Sequence, residues 1–415
     1  MELIVIMVGC VQIAALIHMS TRAFVLLCIS VWINYIDRGN LSVAAPALAP
    51  ELQLTPSHMG ILLSGFFWTY SLLQPVAGWL IDRYDTYRLY AAAFAIWSIA
   101  VAAGGLATGF YSLLATRLLL GAGESLAYPA YSRLLAAGFT EDRRGFANSM
   151  IDAGTKAGPA LGTFLGAMVI AQWGWRPFFF VMGVASLIWL IPWNASIPPK
   201  AKHSAAKVKS ANIFIYRDSY ITFAGLFCFN YAYYFLLTWL PTYLVRERRF
   251  SLRAMAIYGA LPFAATAIAS VATATYADKR GRETGAPGEV RRRLAVAGLI
   301  IAAAALSGST MLENNLAMIC LIVAFIGIGM FTANCWAISQ TLAGPRAAGA
   351  WTGWQNAVGN MGGVIAPIVT GWSVSYTGSF LAAFCGASAI LLVACVLYGL
   401  LLGPIRQLVP DEESI

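Results

Sequence analysis

Residues 111–137, YSLLATRLLLGAGESLAYPAYSRLLAA, are long and apolar enough to cross a bilayer, yet they hold Arg117 and Glu124 in their interior. Seven residues is almost two helical turns, so both charges project from one face. Gly121 and Gly123 between them remove bulk and allow a neighbouring helix to come close. Holding one charge at mid-membrane costs about 2.5–3.5 kcal/mol. Buried ion pairs are weak stabilisers, whereas intramembrane charges mark transport paths, so this stretch reads as the floor of a transport site. Two other apolar stretches carry charges. In INYIDRGNLSVAAP, Asn34 and Arg38 lie one turn apart with Tyr35 beside them, and Asp37 is rotated by about 100°. In NSMIDAGTKAGPALG, Asp152 and Lys156 form an i,i+4 pair in the favourable order, acid first.

These residues must be positioned by membrane-spanning helices. Hydrophobic residues make up 59% of the 415 and charged residues only 11%, where about 25% is usual for a soluble domain. Twelve spans are predicted, near 23–45, 58–80, 88–108, 111–137, 146–172, 177–193, 220–245, 254–276, 293–311, 315–341, 350–375 and 379–404. The polar stretch 194–219, rich in Pro and Lys, divides them six and six and reads as a solvated linker. The expected organisation is an apolar extension over 1–21, a six-helix bundle over 22–193, the linker, a second bundle over 220–404, and a tail over 405–415. Residues 3–17 are too short for a comfortable span and lack a signal peptide's positive flank.

The net charge of +9 belongs to the loops and does not call for nucleic acid. With both termini cytoplasmic, 18 of the 27 basic residues fall in inner segments and only Arg176, Arg246, Arg248, Arg249 and Arg253 in outer ones. That asymmetry sets the expected orientation, in a cell (inner) membrane. The seven cysteines sit in apolar runs without metal-ligand spacing and the three histidines are scattered, so no metal or cofactor is expected.

Counting about 1.5 Å per residue from the span ends puts Arg38 and Arg117 at one level and Glu124 deeper, bracketed by Asp152 and Lys156. Two clusters are therefore expected, Asp37–Arg38–Arg117 and Glu124–Asp152–Lys156. Their six charges sum to zero, and all lie in the first half. The second-half spans offer neutral groups instead: Asn230, Tyr233, Tyr234 and Trp239, then Asn334, Trp336 and Gln340, then Trp351, Trp354, Gln355, Asn356 and Asn360. Singly these are helix–helix glue or interfacial belting, and that reading is preferred for Trp239 and Trp351. As a set facing a charged half they read as a hydroxyl-binding wall. The asymmetry suits a substrate with one anionic end and a neutral, hydroxylated body.

The loop GWLIDRYDTYR (78–88) places Gly78, Asp82, Arg83 and Arg88 as in the G-x-x-x-D-R-x-G-R loop of the major facilitator superfamily, with Asp85 where that motif has its second glycine. Physically Asp82 beside basic helix ends is an ion-pair latch. Asp278, in ADKRGR, stands at the corresponding place of the second half, as an internal repeat should. Over 22–404, NYIDRGNLSVAAP, FFWTYSLLQPVAGWLIDR, RLLLGAGESLAYPAYSR, GTKAGPALG, NYAYYFLLTWLPTYLV and WTGWQNAVGNMGGVIAP resemble the anion:cation symporter family of that superfamily. The resemblance implies a twelve-helix carrier in two bundles that is not an enzyme. It implies coupling protons on Asp37 and Glu124, with Arg38 and Arg117 serving a substrate carboxylate or their acid partners. It also implies contacts from Tyr70 and Asn356. Gln74, one turn below Tyr70, is added from spacing, and Lys156 is added from its charge.

The leading expectation is therefore a monomeric, proton-coupled importer of an organic anion of the sugar-acid class, working by alternating access. The rival is a proton-coupled efflux antiporter, because Gly154-x-x-x-Gly158-Pro159-x-x-Gly162 resembles the glycine–proline motif of drug carriers. Close packing at a kinked helix explains that motif equally, and paired intramembrane arginines oppose a cationic drug.

Overall fold

The computed structural model describes residues 19–139, 141–197 and 212–410, with their side chains apart from those of residues 82, 136, 141–146, 345 and 346. The extension over 1–18 and linker residues 198–211 lie outside the described residues. The described chain is helical, without strands. Its first half contains α1 (Thr21–Glu51), α2 (Pro56–Arg83), α3 (Thr86–Gly104), α4 (Phe110–Glu124), α5 (Ala127–Gly138), α6 (Glu141–Trp173) and α7 (Trp175–Asn194). The second half contains α8 (Arg217–Arg246), α9 (Leu252–Thr284), α10 (Pro287–Met311), α11 (Asn314–Gly344), α12 (Ala347–Thr377) and α13 (Leu381–Val396), the last running into a π-helical turn over Leu397–Leu401. Eight of these helices are long and apolar enough on their own to cross a membrane, by length and composition. The other spans are α1, α2, α6 and the pair α4–α5, which carry the interior charges, Tyr70 and Gln74.

Local chemistry sets the helix starts. Thr55 caps α2 by accepting a hydrogen bond from the His58 amide at 3.2 Å, with Pro56 in the first turn. Asp85, the departure from the loop motif, caps α3: its Oδ1 accepts from the Arg88 amide at 3.0 Å. The fourth span runs through α4 and α5 with a lapse in its hydrogen-bond ladder at Ser125 and Leu126, which keep right-handed helical dihedrals, one turn before Pro129. Between α11 and α12 the chain turns back sharply at Gly344, where φ is +65° and the Gln407 side chain comes within 2.6 Å of the place of a β-carbon; Gln355 of α12 thereby reaches Cys335 Sγ of α11 at 3.6 Å.

Glycines let the helices approach closely. Gly121 faces the Phe66 carbonyl and Thr69 of α2, and Gly123 faces Trp97 of α3. Gly154, Gly158 and Gly162 seat α6 on Val31, Tyr35 and Ile36 of α1, the packing explanation of the glycine–proline motif. The two halves meet closely at the end that carries the α1–α2 loop. There Ser57 donates to Ser375 at 2.8 Å, and Ser42 donates to the Leu237 and Thr238 carbonyls at 2.9 and 2.6 Å. A β-carbon at Gly60 would sit 2.5 Å from the Pro367 carbonyl oxygen, and one at Gly259 would sit 3.1 Å from the Thr163 methyl.

Candidate functional site

The site is built on α1, α2 and α4. Arg38 projects from α1 between the rings of Tyr35 and Tyr70, its guanidinium carbon 4.7 Å from each ring centre, and 4.9 Å from that of Phe66. Its Nε and Nη2 donate to Glu124 Oε2 at 3.3 and 3.1 Å, and Nη2 also reaches Asn34 Oδ1 at 3.5 Å. Arg117 also lies over Phe66, 5.4 Å from its centre, and donates to the Arg38 carbonyl at 3.5 Å. Phe66 is thus within cation–π reach of both guanidiniums. Asp37 is fully buried within electrostatic reach of both Glu124 and Arg117.

This arrangement corrects the expected grouping. Glu124 belongs with Arg38, Arg117 and Asp37 in one buried tetrad, while Asp152 and Lys156 pair with each other as an i,i+4 salt bridge. Helix counting placed Glu124 one cluster deeper because it ignored side-chain reach. The carboxylate lies where α4 ends, and the long Arg38 side chain bridges the difference in level. The tetrad is electrically neutral but incompletely bonded. Both Asp37 oxygens, Glu124 Oε1, Arg117 Nε and Nη1, and Asn34 Nδ2 are buried without hydrogen-bond partners among the described residues. Such orphans are costly in a stable core, so the cluster offers buried donors and acceptors to a further partner.

The remaining expected residues divide. Tyr70 is buried against Arg38, and Gln74, one turn on, is half-buried. Tyr234 touches the first half through Phe67, ring centres 4.5 Å apart, and donates to Asn360 at 2.8 Å. Asn230 lies against Gly359 of α12, and Tyr233 stacks on Phe229. Trp336 and Asn356 are half-buried. Asn334 instead donates to the Met330 carbonyl of its own helix at 2.8 Å. Gln355, expected as a substrate contact, holds the second half together: its amide reaches the Thr222 carbonyl at 3.4 Å and the Tyr398 hydroxyl at 3.5 Å. Trp239 and Trp351 are buried and donate to Pro367 and Thr222, so they are glue and not belt. Asp278 latches α9 to α10 through Arg291 at 2.8 Å. Its first-half counterpart Asp82 lies outside the described side chains, and the neighbouring Arg83 stacks on Trp79 at 4.8 Å. Phe66 was not singled out in the sequence. Its i,i+4 spacing to Tyr70 was the available signal.

Twelve spans in two bundles, with buried balanced charges along their axis, define a multi-pass membrane transporter. The sequence profile of the Major Facilitator Superfamily matches residues 27–367, and the chain belongs to that superfamily. Among its relatives are a probable sulfoacetate transporter of Cupriavidus necator, 28% identical over 96% of this chain and 97% of that one, and a D-galactonate transporter of Escherichia coli, 28% identical over 92% and 95%. A probable galactarate/D-glucarate transporter of Escherichia coli is 28% identical over 94% and 96%. These relatives support the anion:cation symporter branch that the motifs resemble. A bacterial homolog of the human lysosomal transporter Spinster, solved in an inward-facing and occupied conformation, shares the fold. It has a TM-score of 0.79 and 17% identity over 94% of this chain and 98% of that one.

Proposed function

We propose that this protein imports a sugar acid or a similar small organic anion together with protons. The observation that carries the reading is the buried tetrad, in which two guanidiniums are neutralised from within the chain by acids that keep open oxygens. Protonation of Glu124 frees Arg38, and protonation of Asp37 frees charge on Arg117. An anion can then take the place of the carboxylates in charge-assisted hydrogen bonds. Loss of the protons returns the carboxylates to the arginines and expels the anion. Tyr70, Gln74, Asn230, Tyr233, Trp336 and Asn356 are the proposed contacts to its neutral body, with Asn334 at the edge of that set. The names of the relatives above favour the sugar-acid class.

With both termini cytoplasmic in an inner membrane, the sealed end of the molecule is the outer one, and the resting carrier opens inward. The two bundles, 22–193 and 220–404, then rock about the tetrad as a monomer, with the Asp278 latch and its Asp82 counterpart opening and closing at the inner face.

The test is transport in proteoliposomes with an imposed pH gradient. Glu124→Gln mimics the protonated acid, so the loaded carrier still changes faces, but the empty one cannot shed the proton. Counterflow between anion-loaded compartments is expected to survive, while pH-driven accumulation collapses. Arg117→Ala is expected to abolish both. If Glu124→Gln still concentrates the anion when the outside is acidified, the proton is not carried by Glu124.

A further inference from the structure

We propose that Lys156 is a second anion-binding pole and that the preferred substrate is a dianion, held between Lys156 and the Arg38–Arg117 pair. This rests on the anion-carrier reading above and departs from the single anionic end that the sequence suggested.

The helix α6 has two distinct faces. Gly154, Gly158 and Gly162 pack on α1. At about 100° per residue, Asp152, Lys156 and Thr163 fall within about 40° of one another on the other side. Thr163 meets Gly259 of the second half, so this face is turned to the line between the halves. Lys156 lies about 10 Å along the helix from that seal and Asp152 about 6 Å further. The Asp152 side chain is 57% exposed and that of Lys156 22%, whereas Arg38 and Glu124 are 5% and 0%. An ionised acid at membrane depth does not face lipid, so this exposure opens onto the path between the halves.

The two pairs therefore differ in how readily they exchange partners. An exposed i,i+4 pair contributes little, about 0.3–0.5 kcal/mol, and Lys156 can pass its charge to a ligand at small cost. The seam between the two cations is Tyr35: its ring covers Arg38 at 4.7 Å, and its β-carbon abuts Gly158 of α6. Charge balance agrees with this. With Asp37 and Glu124 protonated, the six ionisable side chains carry two positive charges in excess, and a dianion matches them. The named relatives leave the count open, since sulfoacetate, galactarate and glucarate carry two acid groups and galactonate one.

The experiment compares anions of matched chain length, D-glucarate with D-gluconate and sulfoacetate with propionate, as substrates of the purified full-length carrier in liposomes. The wild-type protein is expected to favour the dianion at least tenfold in half-saturation in one or both pairs. Lys156→Met is expected to shrink that ratio at least tenfold, and the charge-balanced double variant Asp152→Asn/Lys156→Met to do the same. Lys156→Arg is expected to keep it. Survival of the preference in Lys156→Met, or a wild-type preference for the monoanion in both pairs, overturns the second pole. If Arg117→Ala abolishes uptake in that case, the arginine site stands without it. Uptake of none of the four anions by the wild type overturns the anion reading and the Lys156 pole together.

Discussion

Arg38 is the most constrained side chain of the site, with an aromatic ring on three sides and Glu124 on the fourth. Tyr70 offers it a ring face and also a hydroxyl, and the two contributions are separable. A cation–π contact on a desolvated arginine contributes about 0.5–2 kcal/mol. Tyr70→Leu is therefore expected to weaken anion affinity by about 2- to 30-fold in a binding titration, while Tyr70→Phe stays near the wild type. Full loss already in Tyr70→Phe would assign the effect to a hydroxyl contact with the substrate. At this scale the sequence was informative where a residue is expensive: a charge inside an apolar run has no cheap explanation, so Asp37, Arg38, Arg117 and Glu124 stood out. Phe66 did not, because one aromatic among many apolar residues costs nothing to place. The grouping of the charges was likewise hidden, since a helix count fixes the level of a Cα and not the tip of an arginine.

Among the elements, the span lengths were legible from hydropathy, and the caps at Thr55 and Asp85 from residue type. The lapse after Glu124 was missed, although Pro129, which has no amide hydrogen to give the Ser125 carbonyl, is its signal. The close contact of α2 with α12 was out of reach, since it joins residues more than 300 apart in the chain. That contact depends on the absence of a side chain at Gly60. Gly60→Ala puts a methyl 2.5 Å from the Pro367 carbonyl oxygen, and backbone cannot yield as a side-chain tip can. Overpacking of this kind costs about 1–3 kcal/mol, and here it is charged to the sealed state alone. A shift of 1.4 kcal/mol is tenfold in population, so spin labels at His58 and Tyr376 should report a growing long-distance fraction in Gly60→Ala. An unchanged distance distribution would mean that the seal is held by other contacts.

For the whole molecule, the six-and-six division and the neutral sum of interior charges were both visible in the sequence. They were visible because the bilayer enforces them: each span must be apolar, and each charge it tolerates needs a counter-charge. Which half closes on which, and at which end, depends on helix faces that hydropathy does not rank.

The Arg38–Glu124 bond has one consequence for the economy of the cell. A carrier that shuttled protons without cargo would dissipate the gradient that drives it. Here an empty site with Glu124 protonated strands a buried guanidinium without its partner, at a cost of about 3–5 kcal/mol. In the proposed cycle that cost opposes the empty protonated state, so slippage is guarded by the same bond that opens for the anion. Liposomes containing a pH-sensitive dye and no organic anion should therefore acidify at the rate of protein-free vesicles. Arg38→Gln removes the stranded charge and should raise that uncoupled flux. A leak as large in the wild type as in the variant would show that the gradient is protected by some other part of the cycle.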